Sequence, residues 1–272
     1  MDEIEIRFGE KKMKLRLYAA SFAMMAAVLL TASFSYADKA WDQYLALSNS
    51  QRVQLRLDNQ TRKGTVDPAK QDRDAATQSL VNQVLANAGD PAVQPILSQI
   101  LGDIKTIDGA EENYWQSLMG SLNPIQVAKI YLKDHPPKNP SAVPPAPANP
   151  IPKSGKGFNW NAYFEFSTDQ EAQLKAADQA KNTQMKPTRD EKEAAIEQLN
   201  QLVQSNAADT SIQPTLRTLL TDDQTEHQVE QAFWGTTLPG FLTPTQTAKL
   251  YLHRRTPKGT FIPPPPASGP SN

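Results

Sequence analysis

Cysteine is absent from the 272 residues. Its absence removes disulfides, thiolate metal sites, cysteine nucleophiles and the lipidated cysteine of a bacterial lipoprotein together. Histidine is scarce, with three in the chain, so the usual nucleophile and general-base pairs lack material. Positive charge has no surplus: 28 Lys and Arg face 29 Asp and Glu, for a formal net charge of −1 and a pI of about 6.3. That balance lacks the basic footprint that phosphate backbones demand, so nucleic acid is not an expected partner. No G-x-x-x-x-G-K-[ST], H-E-x-x-H or G-x-S-x-G occurs, and neither an enzyme nor a cofactor is expected. What remains is 39% hydrophobic and 21% charged residues, the composition of a folded, water-exposed chain with one or two small cores.

The compartment is read from the N-terminus. Lys11, Lys12, Lys14 and Arg16 precede an apolar run from Leu17 to Ala32, and Ser35-Tyr36-Ala37 offers small residues at −3 and −1 of a cleavage site. This is the pattern of a secretory signal peptide over 1–37, with a mature start at Asp38 and a periplasmic or secreted product. A membrane anchor fits less well, because the run is shorter than the ~20 residues that span a bilayer; no stable membrane insertion is expected after cleavage. The acidic segment from Met1 to Lys12 does not resemble a signal n-region. Its Gly9-Glu10-Lys11-Lys12 is compatible with a purine-rich ribosome-binding sequence, which places the expected translation start at Met13.

The mature chain repeats itself. Trp41 aligns with Trp160, Tyr44 with Tyr163, Gln51 with Gln170, Pro95 with Pro214 and Trp115 with Trp234, each 119 residues apart. Beyond the tryptophans the spacing is 120, through Leu122 and Leu242, Pro124 and Pro244, and Tyr131 and Tyr251. One residue is therefore inserted between Trp234 and Leu242. The pattern predicts a first unit over 38–134, a Pro-rich linker over 135–157, a second unit over 158–255 and a Pro-rich disordered tail over 256–272. Each unit reads as helical. Ile96, Ile100, Ile104, Ile107, Tyr114 and Leu118 trace one stripe on a long helix, preceded by helices over about Ser48–Arg62 and Pro68–Asn87, the latter ending near Gly89. The second unit repeats the order with Ser167–Lys186, Thr188–Ser205 and Gln213–Phe233. The expected fold class is all-α, two tandem four-helix units.

Four short boxes punctuate these helices: Leu47-Ser48-x-x-Gln51, Leu122-Asn123-x-x-Gln126, Phe166-Ser167-x-x-Gln170 and Leu242-Thr243-x-x-Gln246. In each, a Ser, Thr or Asn suits the N-cap and the Gln can reach back to the cap's own N–H, while the preceding apolar residue can staple onto the first turn. In the second and fourth, proline occupies the first helical position. Such boxes are structural devices. Paired 75 or 76 residues apart within a unit, they resemble the LTxxQ-motif proteins of the bacterial periplasm, the Spy/CpxP family. That resemblance implies four-helix units, dimeric and cradle-shaped in the chaperone members, which hold unfolded clients without ATP; it also covers relatives that sense or bind heavy metals. Asn123 and Phe166 depart from the strict pattern. If single-unit relatives dimerise, two tethered units can pair within one chain, the linker raising their effective concentration.

Two sets of side chains are candidates for chemistry. Asp223, His227 and Glu230, with Glu226 beside them, fall at helical steps that could hold a partly hydrated divalent ion, although one imidazole among carboxylates makes a poor site and a solvated helix face accounts for the same residues. The aligned places in the first unit hold Ile104, Asp108 and Glu111, so no duplicate site exists. Arg52, Arg56 and Lys63 could line one side of the first helix beside Leu55 and Tyr44, a surface for unfolded segments; an ordinary charged face explains them equally. Trp115 and Trp234 are expected to pack each final helix against the long one. The expected function is periplasmic, non-enzymatic binding of unfolded or envelope proteins. A heavy-metal sensor or buffer and a structural envelope or extracellular component are the alternatives.

Overall fold

The computed structural model describes residues 36–137 and 163–255. The expected start at Met13, nearly all of the signal peptide, most of the linker, Trp160 and the tail lie outside the described residues. Seven α-helices are described: α1 Tyr36–Leu45, α2 Asn49–Leu85, α3 Asp90–Ser121, α4 Pro124–Asp134, α5 Thr168–Gln204, α6 Asp209–Ala232 and α7 Pro244–Arg255. No strand occurs among the described residues, and the fold is all-α. None of the described helices is long and apolar enough to cross a membrane. Two compact units divide the chain, one through Arg52 and one from Val53; the division falls inside α2.

The repeat is carried into the helices. Asn49 and Leu85 bound α2, and the residues 119 further on, Thr168 and Gln204, bound α5, each 37 residues long. The expected breaks near Gly64 and Lys186 do not occur. Pro68 and Pro187 sit inside α2 and α5, where each removes one backbone hydrogen bond at an intrinsic cost of about 3 kcal/mol. In α2 a buried stripe runs through the proline, from Leu55, Val66 and Ala69 to Ala76, Leu80 and Val84. Packing on both sides holds the helix together against that local cost. The turn after α2 also differs from expectation. Asn87 takes the left-handed conformation (φ 51°) and Ala88 N–H donates to the Gln83 carbonyl at 2.9 Å, a Schellman-type ending; Asn206 (φ 48°) and Ala207 repeat it after α5. Gly89 is extended and merely precedes α3.

The inserted residue of the second half has a structural form. Where α3 runs unbroken to Ser121, α6 passes into a π-helical turn over Phe233–Thr237 and a 3-10 turn over Leu238–Gly240. A π-turn is how a helix absorbs one extra residue without rotating the residues beyond it. Leu242 and α7 then begin in the same relation to their capping box as Leu122 and α4.

The second compact unit holds the first half from Val53 onward together with the second half, and the two interlock. A hydrophobic cluster draws Ala76, Leu80, Val93 and Ile100 from the first half together with Trp234, Leu238, Leu242 and Tyr251 from the second. Helix α7 packs on α3, and α4 packs on α5 and α6. The exchange is reciprocal at the helix starts. Asp90, at the head of α3, accepts hydrogen bonds from the Thr245 N–H (2.9 Å) and hydroxyl (2.6 Å) at the head of α7. Asp209, at the head of α6, accepts one from the Ile125 N–H (3.3 Å) at the head of α4. Each half thus supplies a carboxylate to the unsatisfied amides of the other's last helix.

Candidate functional site

The capping boxes form as hydrogen-bonded units. Ser48 N–H donates to Gln51 Oε1 (3.0 Å) and Gln51 N–H to Ser48 Oγ (3.2 Å), with the same pair at Ser167 and Gln170 and at Thr243 and Gln246. At Asn123 the N–H donates to Gln126 Oε1 at 2.9 Å. The glutamines of the second half do more than cap. Gln170 Nε2 donates to the Phe241 carbonyl (2.8 Å) and Gln246 Nε2 to the Glu165 carbonyl (2.9 Å), and the two amides also bond one another. Each box therefore uses its amide NH2 for the other box, while its amide oxygen accepts both from its own cap and from the other amide. The clamp joins two helix starts that lie 76 residues apart and explains why the position requires an amide rather than a carboxylate.

Each half has two long helices in sequence, α2 and α3 or α5 and α6, referred to as its hairpin; where one half's last helix meets the other half's hairpin, two clefts open, each of about 1100 Å³, and the internal repeat relates their linings. In the first, Glu111, Trp115 and His135 face Leu220, Asp223 and Gln224. In the second, Glu230, Trp234 and Arg255 face Leu101, Ile104 and Lys105 at the aligned positions. Both have an aromatic floor, as expected of the tryptophans: Trp115 packs on Tyr131 (5.3 Å between centroids) and Trp234 on Tyr251 (5.4 Å). Next to each cleft an ion pair whose cation lies over an aromatic ring is repeated. Arg62 pairs with Glu111 at 2.8 Å and lies over Tyr114, whose hydroxyl is pushed up to about 12 chiefly by burial. Lys181 pairs with Glu230 at 3.2 Å and lies over Phe233. Burial pushes the Glu230 carboxyl up, but Arg255 and Lys181 outweigh it and hold the group below the usual range.

The residues singled out for metal do not converge. Asp223 pairs with Lys192 and accepts the Tyr131 hydroxyl at 2.9 Å, Glu230 is held by Lys181, Arg255 and the Trp234 indole N–H, and His227 faces Asp108 at 3.8 Å. Among the described residues no three metal-ligating side chains come together. Asp223 through Tyr131 and His227 through Asp108 bridge the halves instead, with Gln224 donating to Glu112 (2.9 Å) and Gln231 to Asp108 (2.8 Å) alongside, whereas Glu230 is tied within the second half.

Of the basic residues, Arg52 faces Asp42 at 3.7 Å within the N-terminal unit. Arg56 and Lys63 are exposed on α2 two turns apart. Leu55 is buried and does not lie beside them as expected; the apolar neighbours that reach solvent are Val53 and Leu57. Sequence reasoning also passed over Asp103 and Asp222, aligned residues of the two hairpins that each leave one buried carboxylate oxygen without a hydrogen-bond partner. Burial raises both, with Asp72 adding to the effect at Asp103 and Glu191 at Asp222. No protein-family model, curated protein or solved structure matches the chain.

Proposed function

We propose that the mature chain is a periplasmic, non-enzymatic protein-binding module that holds unfolded or envelope proteins without ATP, in the manner of the Spy/CpxP proteins its capping boxes resemble. The observation that carries this reading is the outer face of α2. Val53 is 65% exposed and Leu57, one turn on, 53% exposed, with the exposed Arg56 between them. Exposed aliphatic groups next to long basic stems form an adaptable surface for segments that have not folded. The reciprocal capping by Asp90 and Asp209 supports a second element of the proposal, that the two halves pair within one chain as single-unit relatives pair between two. A metal-sensing role draws no comparable support, since a cation would have to displace the lysine and arginine partners of Asp223 and Glu230.

The test is an aggregation assay. Protein beginning at Asp38 is added at stoichiometric ratio, without ATP, to a chemically denatured client, with and without chelator. Suppression of light scattering that persists with chelator is the expected result. Unchanged aggregation under both conditions overturns the reading and favours a structural component of the envelope.

A further inference from the structure

We infer that the second cleft, bounded by α2, α3, the π-turn and α7, binds a peptide segment that is acidic and carries a bulky apolar anchor. The inference rests on the protein-binding reading above and adds to the face of α2 a second site with its own ligand chemistry. It comes from the places where the two clefts, related by the repeat, differ.

The first difference is polarity. The wall of the second cleft holds Val81, Leu101 and Ile104, all partly buried against the core, where the aligned residues of the other half are Asn200, Leu220 and Asp223. Trp234 forms the floor in place of Trp115. In the first cleft Asp223 ties the Tyr131 hydroxyl and Lys192 into a polar network; in the second, Ile104 stands in its place and leaves the wall apolar. The second difference is room. Gly235, in the π-turn, replaces Gln116, and a methyl group added there would meet nothing within 4 Å. The extra residue of the second half therefore falls on the cleft with the open, apolar wall, and π-turns recur where helices carry function.

The third difference is charge. The first cleft is lined by the carboxylates of Asp108, Glu111, Glu112, Asp134 and Asp223 against Arg62, Lys105 and Arg217. The second has a surplus of the other sign: Arg73 pairs with Asp74 and Arg255 with Glu230, which leaves the ammonium of Lys105 over. Lys105, which stands between the two clefts and borders both, takes part in no ion pair among the described residues, is exposed, and occupies the place aligned with the neutral Gln224. The cleft is thus complementary to negative charge around an apolar anchor. Gln228 and Thr236 also line it and can pair with a peptide backbone. Its volume, about 1120 Å³, exceeds the range of roughly 300–1,000 Å³ typical of small-molecule pockets and suits a stretch of chain.

The test measures fluorescence anisotropy of two labelled peptides added to the full mature protein at fixed ionic strength: one with Leu and Phe set among Asp and Glu, and its counterpart with Lys at every acidic position. The acidic peptide is expected to bind at least about tenfold more tightly than the basic one. Ile104→Asp with Lys105→Gln, which gives the second cleft the residues of the first, should weaken the acidic peptide by about tenfold. Lys105→Glu, at an exposed position that carries no packing, should weaken it without changing the circular dichroism spectrum. Equal binding of the two peptides, absence of binding, or affinity unchanged in both variants overturns the assignment. The aggregation assay run on the same samples separates the two ideas. Suppression without selective peptide binding overturns the cleft and leaves the protein-binding function, whereas selective binding without suppression supports the cleft and overturns the chaperone role.

Discussion

Asp222 is 7% exposed and leaves an oxygen unpartnered, a cost of about 1–3 kcal/mol for a buried polar group. Burial first, and then Glu191 and Asp223, raise its carboxyl above the ordinary value of about 3.9. A group raised on folding contributes stability that is present below its unfolded value and lost as the pH climbs through its folded one. The ionised carboxylate therefore opposes folding at neutrality. Asp222→Asn is expected to raise stability at pH 7 by about 1 kcal/mol, with the gain vanishing near pH 3 where the aspartate is itself protonated; urea denaturation at both pH values reads this. Asp90 and Glu230 run the other way. The Thr245 hydrogen bonds lower Asp90, and Arg255 and Lys181 lower Glu230 against its burial. Their contribution is present above the unfolded carboxylate value and lost as the pH falls through the depressed one. At this scale the sequence is uneven to read. A cap such as Thr243 and Gln246 acts over three residues and shows in the letters, whereas the isolation of Asp222 depends on a neighbouring helix and does not.

Among the elements, the glutamine clamp and the π-turn carry the sharpest expectations. Gln246 is buried, and its amide serves the Thr243 N–H, the Glu165 carbonyl and Gln170 at once. Gln246→Ala should therefore cost about 2–3 kcal/mol, more than the roughly 1 kcal/mol of losing the Thr243 hydroxyl cap alone; equal losses in denaturant titrations of the two variants would show that the cross-helix bonds add nothing. Deleting Thr236 removes the one extra residue of the π-turn and should leave a folded, helical protein with a modestly lower melting temperature. Deleting Ser117 from the unbroken α3 instead rotates everything beyond it by about 100°, and cooperative melting should be lost. The insertion was legible as a change in repeat spacing from 119 to 120, although nothing in the letters said that a π-turn would hold it. Pro68 and Pro187 misled for a related reason. Proline is a local signal to stop, and the packing that overrides it in α2 and α5 is contributed by residues far along the chain.

For the molecule as a whole, the repeat and the proline-rich segment between its halves were plain from composition, and the caps identified where helices begin. Pairing of the halves was suggested only by the family resemblance, and the exchange of helices into one core was not legible, because a duplicated sequence is equally compatible with two separate cores. A protease site introduced at residues 145–150 offers a direct check. After cleavage the two pieces should co-elute under native conditions and melt in one transition, since Ile100 and Tyr251 belong to a common cluster; separation of the pieces on a sizing column would contradict the interlock. The same feature bears on how the chain acquires its shape. The head of α4 is bound by Asp209, 84 residues downstream of Ile125, and α3 is covered by a helix that ends at Arg255. A chain emerging N-terminus first cannot complete its leading half, which must wait with its apolar surface open until nearly the last helix has arrived. Premature termination anywhere before α7 leaves that surface uncovered, so truncated products are marked for proteolysis by the architecture itself.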